Sequence, residues 1–524
     1  ASASASASAS ASASAESGVA SGVASGALLA LRTQVVFYLA QAYAALHRAH
    51  DSAHYCQQTL LFQLEAETKA EGPESGVRRF EGTKFNADEW YKNCAGLVNY
   101  FINQDRYRDA EQCLLACDAV VTRHLEGAIP PAPAPLHQMA AARERLEEAE
   151  ADMNRRWGIF YLNILKDAAL EFKDKEGGEI EVETEEPPVS KVQIDFKGLN
   201  LGPCTAPLVS KVTSFEAARG VFKLCGARLA KAKAYYQLDG FVSDHIALCK
   251  DASCAFKWLA VFEQDEKRKT AMFGRALALL TPLLAQLGRQ AYEGELKTLS
   301  WEAGEIATEM VEMKQERIAK KKEANPAYVP SRVEVQKSNA YCAQALEAFE
   351  KFAKFYRKAK PVPLFDLPKP GDEGSDEESE YDDAEDKARK ALKRAEKAKA
   401  AAEEALGGEL DIPDDELELH LRAHFYIARL HGKVLPSPGD SGESMVAGLR
   451  NSLKKYEWLA KFAKERIELL PKKPKPKTIL DDPDAPFLEP DKCFKSELQI
   501  VEQMIELIPL QISNELRRGA TVGR

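Results

Sequence analysis

Apolar residues along this chain recur with a helical period, and almost nowhere with the two-residue alternation of a strand. In Val36–Leu64, Val36, Leu39, Ala40 and Tyr43 share helical spacing. Ser52, Cys56 and Thr59 follow at the offsets a tetratricopeptide repeat uses for its second helix. Cys94–Val121 returns to the same template, with Leu97, Val98 and Phe101 and then Ala110, Leu114 and Cys117. The small residue at Ala110 matters because paired helices approach closely only where no large side chain intervenes. The two matches lie further apart than the usual repeat of about 34 residues, and the extra length falls in a loop, Ala66–Asn86. Less regular pairs are predicted at Trp157–Phe172, at Phe215–Leu238 with Ile246–Arg268, and at His420–Val434 with Met445–Leu470, before a last helix, Lys495–Glu515.

Advancing about 100° per residue, Val36, Leu39 and Tyr43 define the buried side of the first helix. Tyr38 and Gln41 point nearly opposite, toward what is often the concave, ligand-binding face of a repeat solenoid. A Tyr beside an amide suits recognition, since Tyr offers area and a hydroxyl at low entropic cost.

Low-complexity breaks separate the helical blocks. Residues 1–26 read as a disordered linker opening on an Ala-Ser repeat (Ala1–Ser14). The absence of an initiator Met leads us to expect a fragment lacking an upstream region. A helical-repeat subdomain, expected to be incomplete, spans 27–172, and a charged loop spans 173–211. Central linking helices and repeats occupy 212–357, a disordered acidic insertion 358–386, and a C-terminal helical-repeat region 387–524. Within these, PPAPAP (Pro130–Pro135) is a stiff spacer and Ala384–Leu406 an exposed Ala/Lys/Glu helix. Pro471–Pro490 is a Pro/Lys/Asp loop. The expected class is all-α, a tetratricopeptide-like helical-repeat solenoid in two subdomains joined by a linking helix.

Composition narrows the function. Hydrophobic residues make up 45% of the chain, enough for a sizeable core. A formal charge of −10 disfavours nucleic acid, which needs clustered Lys and Arg. Ten cysteines without a CxxC pair read as reduced, buried thiols of a cytosolic protein. No apolar run approaches a membrane span and no secretory signal opens the chain. His47, His50 and His54 could share a helix face, but the repeat template puts the inter-helix turn at Ala49–Asp51, which spoils it. His420 and His424 lack a third ligand at suitable spacing, and Cys113 and Cys117 fall in a core pattern. Glycine-rich phosphate loops and nucleophile elbows are missing. We expect no metal, no cofactor and no catalysis.

Three collinear blocks carry a resemblance. They are FYLAQAYAALHRAHDSAHYCQQTLLFQLE (Phe37–Glu65), YYQLDGFVSDHIALCKDASCAFKWLAVFEQDEKRKTAM (Tyr235–Met272) with LTPLL after it, and AHFYIARLHGKVL (Ala423–Leu435). The last continues in SLKKYEWLAKF and QIVEQMIELIPLQI. Together they resemble the kinesin-binding protein family, also called KIF-binding protein. The resemblance implies an α-solenoid adaptor that grips kinesin motor domains on the side that meets the microtubule and keeps them off their track. It implies contacts at Tyr38, Gln41 and Gln63, with Asn99 at a position of similar polar character and Gly96 replacing a hydroxyl-bearing residue. Partners would then be kinesin motor domains, with only an indirect link to microtubules and none to membrane or nucleic acid. An acidic concave face would steer the basic motor surface. The location implied is cytoplasmic and cytoskeleton-associated. The alternative is a structural scaffold in a microtubule-based assembly such as a ciliary axoneme. A chaperone adaptor would need a carboxylate clamp, for which Lys92, Asn93 and Asn99 supply one repeat's worth. The tract Ser375–Asp383 resembles an acidophilic phosphorylation target.

Overall fold

Three helix N-termini in this chain are capped by the side chains best suited to the task. Ser331 and Glu334 form a reciprocal capping box, Ser214 accepts the Ala217 N–H, and Asn86 accepts the Glu89 N–H. These caps delimit helices in a computed structural model that describes residues 28–70, 85–127, 129, 135–176, 196, 199–357, 410–436, 443–470 and 492–522. The 1–26 linker, the Pro-rich spacer short of Pro135, the acidic insertion, the Ala384–Leu406 helix and the Pro471–Pro490 loop lie outside the described residues.

The helices are α1 (residues 28–45), α2 (Ala49–Ala70), α3 (Ala87–Ile102), α4 (Tyr107–Val120), α5 (Leu136–Glu176), α6 (Phe215–Tyr235) and α7 (Val242–Leu259). They continue as α8 (Glu266–Gln286), α9 (Glu293–Ala324), α10 (Arg332–Lys354), α11 (Leu417–His431), α12 (Glu443–Glu468) and α13 (Lys495–Val522). Among the described residues no strand occurs, only an isolated bridge between Arg357 and Leu410. The chain is all-α and of the helical-repeat class. Its contacts divide it into two compact units at Leu279/Leu280, inside α8.

In the first unit α2 packs on α3, α3 on α4, and α5 on both α6 and α7. Small donors mark the crossings. The Ser52 hydroxyl donates to the Ala40 carbonyl (2.9 Å), the Cys117 thiol to Tyr91 (3.4 Å) and the Cys225 thiol to Gly158 (3.3 Å). At Gly158 α5 and α6 come close, since a Cβ there would lie 2.5 Å from the Leu229 side chain. In the second unit α9 packs on α10, α10 on α11, α11 on α12 and α12 on α13. Its core is aromatic, with Phe349 stacked on Tyr426 (4.9 Å) and edge-on to Trp301 (5.5 Å). Ser452 repeats the small-donor device on the Ala428 carbonyl (2.7 Å).

Several expectations need correcting. Leu39, expected in the core, is 36% exposed, and Tyr43 is only half-buried; Val36 and Ala40 alone carry the buried edge of that group. The first turn occupies residues 46–48 and Ala49 already starts α2. The charged loop begins later than Lys173, because α5 runs on to Glu176. α5 also starts at Leu136, well before Trp157, and the pattern concealed this because the core face there rests on Ala149, Ala151 and Met153. Alanines bury little area each, so they leave a weak periodic signal.

Candidate partner-binding face

The first two helix pairs turn in the same way. His47 and Asp105 both adopt a left-handed conformation (φ 56° each) where the first helix of the pair ends. Arg48 and Arg106, the next residues, each lay a guanidinium over an aromatic ring one turn back, Tyr43 and Phe101, at 4.8 Å in both cases. Each Arg also pairs with the Asp three residues on, Asp51 and Asp109, at 2.7 Å. Every one of these equivalences is a shift of 58 residues, from 47 to 105 and from 48 to 106 alike. The same shift carries Ser52 onto Ala110, Gln41 onto Asn99 and Tyr38 onto Gly96.

This register gives the expected contact residues a structural relation. Gln41 on α1 and Asn99 on α3 are amides at one repeat position, and both are exposed. Tyr38 stands 58% exposed on α1, its ring tilted against Phe37 at 5.8 Å. Its counterpart Gly96 is also exposed, and a Cβ built there would meet nothing within 4 Å, so a side chain would fit. Gln63 behaves differently. It sits on α2, half-buried, with its Oε1 enclosed and unpaired. The structure therefore pairs Gln41 with Asn99 by repeat position, leaves Tyr38 exposed opposite Gly96 in the register, and sets the half-buried Gln63 apart from them.

The surroundings are apolar rather than charged. On α1, Leu28, Leu31 and Val35 are each more than half exposed, as is Leu46 in the turn that follows. The three helical residues fall at i, i+3 and i+7, on the flank of the helix that also carries Tyr38. Residues 28–48 contain Arg32 and Arg48 and no carboxylate, so the acidic character expected of this face is missing from α1. Arg32 lies over the Phe62 ring at 4.1 Å and ties α1 to α2.

The histidines of α2 have structural partners. The His50 Nδ1 lies 2.8 Å from the Tyr100 hydroxyl, which joins α2 to α3, and the His54 Nε2 lies 2.9 Å from the Gln58 amide. Lys92 and Asn93 are exposed on α3. Cys94, Cys113 and Cys117 are fully buried; burial pushes the Cys94 and Cys117 thiols up, away from the reactive thiolate. His420 is fully enclosed, and burial pushes its pKa down to about 4. Among the described residues no three His, Cys, Asp or Glu side chains are grouped so as to hold a metal ion, and no helix is long and apolar enough to cross a membrane.

These features define an all-α helical-repeat protein whose first two helix pairs share a turn motif and present an exposed amide at a shared position. Residues 88–514 match the family described as KIF-1 binding protein C terminal, and the chain belongs to that family. The KIF-binding protein of Danio rerio is 26% identical over 501 residues, covering 92% of this chain and 64% of its own length. That of Xenopus tropicalis is 25% identical over 501 residues, with 92% and 66% covered. The Homo sapiens protein is 27% identical over 311 residues, with 54% and 45% covered. This chain thus spans less than two thirds of the length of these relatives. A solved structure titled as a cryo-EM map of KIFBP aligns with 98% of this chain and 79% of its own, at 17% identity and a TM-score of 0.49. Asn99 falls within the family match, while Tyr38, Gln41 and Gln63 precede it.

Proposed function

We propose that this chain is an adaptor that binds kinesin motor domains and blocks their attachment to microtubules. Family membership over residues 88–514 carries the reading, since the relatives are named for binding KIF proteins. The docking face on this proposal is the exposed Tyr38, Gln41 and Asn99 set with the leucines and valine of α1 around it. Because α1 lacks carboxylates, attraction there rests on apolar burial and on amide hydrogen bonds rather than on charge steering. The protein would act in the cytoplasm, beside the cytoskeleton.

Microtubule co-sedimentation of a panel of motor domains, with and without this chain, tests the mechanism. A motor left in the supernatant together with the chain supports it. A chain that pellets with microtubules without a motor supports the scaffold reading instead. Motors that pellet unchanged while binding the chain would keep the adaptor and remove the blocking.

A further inference from the structure

The second unit carries a basic groove on an otherwise acidic protein. It lies between the C-terminal half of α9 and the start of α10 and encloses about 150 Å³. Lys314, Arg317, Ile318, Val333, Glu334 and Lys337 line it. Residues 314–337 hold seven Lys or Arg against three Glu, a local excess of four positive charges in a chain of formal charge −10.

Two of the three acids of this region, Glu334 and Glu316, are already committed. Glu334, the one carboxylate in the lining, receives hydrogen bonds from Lys321 Nζ (2.6 Å), the Tyr328 hydroxyl (2.7 Å) and the Ser331 hydroxyl and N–H (2.9 and 3.0 Å). Those donors hold its carboxyl far below the usual range. Its lone pairs are occupied, so it offers little to the cations across the groove. Glu316 is paired with Lys320 at 2.9 Å. Arg317, half-buried, and Lys337, exposed, have no ion pair among the described residues. A guanidinium held partly out of water without a counter-charge is a site prepared for an anion. Val333, 57% exposed, and the buried Ile318 add an apolar strip beside the two cations.

We propose that this groove docks an extended Asp/Glu-rich peptide segment of a partner protein. Its carboxylates would engage Arg317 and Lys337, and an apolar side chain would lie on Val333 and Ile318. A bidentate carboxylate on Arg317 anchors the segment, and the neighbouring lysines raise its local concentration. The partner is a peptide rather than a lipid surface because the charges line a groove with an apolar strip instead of spreading over a flat face. This site is separate from the face on α1 and stands or falls independently of the kinesin proposal.

The test uses the full chain and a fluorescein-labelled oligo-glutamate peptide carrying one central leucine, followed by anisotropy. We expect saturable binding that weakens as salt rises from about 0.05 M to 0.5 M. The double variants R317E/K337E and R317Q/K337Q should each weaken it by at least about tenfold. K223E/K454E, an equal charge change at exposed positions elsewhere, should leave it within about twofold. Helical circular dichroism and melting temperature identify any variant that fails to fold, and the Gln pair serves if the Glu pair does. Equal weakening in the control pair, unchanged binding in both groove variants, or no binding at all would overturn the proposal. So would association with phosphatidylserine vesicles in place of the peptide.

Discussion

The carboxylate of Glu111 on α4 accepts the backbone N–H of Ala206 at 2.7 Å, from a segment 95 positions along the chain. The same Oε1 accepts the Thr205 N–H at 2.6 Å, while Oε2 pairs with Arg108 at 3.0 Å. Arg108 in turn donates to the Ala206 carbonyl at 3.1 Å. Glu111 is 2% exposed, so this clamp holds the extended stretch before α6 against the helix in a site largely closed to water. Glu111→Leu fills the volume but orphans two backbone donors. We expect a loss of roughly 2–4 kcal/mol from leaving buried donors unpaired, read by chemical denaturation. Hydrogen exchange at Thr205 and Ala206 should accelerate by more than at Ala110, one residue from the mutation.

His420 should make the second unit sensitive to mild acid. Its ring is enclosed by Tyr356 (4.8 Å), His424 (4.7 Å) and Phe462 (6.2 Å), and neither ring nitrogen has a hydrogen-bond partner. Burial comes first among the reasons its pKa falls from 6.5 to about 4, with Arg357 and Arg466 adding repulsion. The folded state therefore resists protonation while the unfolded chain takes the proton below pH 6.5. Stability is complete above that value and declines as pH drops toward 4, by as much as about 3 kcal/mol. His424, also pushed down by burial, acts in the same direction. His420→Leu should flatten the decline of melting temperature between pH 6.5 and 4. An unchanged slope would mean that other groups govern it.

Glycines on two helices should respond to alanine with opposite sign. At Gly304 a Cβ would lie 2.8–2.9 Å from the Phe349 ring, which is fully buried and stacked on Tyr426. Overpacking costs about 1–3 kcal/mol, against a gain of up to about 1 from helix propensity, so Gly304→Ala destabilises. Gly220 on α6 is exposed, with nothing near its Cβ position. Gly220→Ala should stabilise by up to about 1 kcal/mol. Calorimetry of both variants provides the comparison.

Tyr38→Ala with Gln41→Ala should leave melting unchanged within about 0.5 kcal/mol, as expected of surface substitutions, while weakening motor binding in a pull-down titration. Gln63→Met is the contrasting case. It replaces an enclosed, unpaired Oε1 with an apolar group, so a modest rise in melting temperature is expected, by relief of an unmet polar atom.

Much of the fold could be read from the linear pattern. Leu97, Val98 and Phe101, then Ala110, Leu114 and Cys117, are all buried as their spacing implied. Helix periodicity is a local property, so apolar residues three and four apart reveal it without knowledge of any neighbour. The candidate face was less legible. Tyr38 and Gln41 could be named from spacing, and Asn99 and Gln63 from the family resemblance, but spacing ranked Leu39 as core where it is exposed, and Gln63 is half-buried. Which flank of a half-covered helix meets a neighbour depends on that neighbour.

Local spacing thus determined that this chain is a succession of amphipathic helices, and its composition set the acidic balance around them. Tertiary structure alone decided that the Arg48 and Arg106 turns are one motif repeated, because the cation over the ring and the left-handed residue before it are geometric facts. It also decided that Glu111 reaches Ala206 and that Glu334 is spent on its own neighbours, while Arg317 and Lys337 line the same groove. Such pairings join side chains across turns and between helices, and their energies depend on distance and burial, which the order of residues does not state.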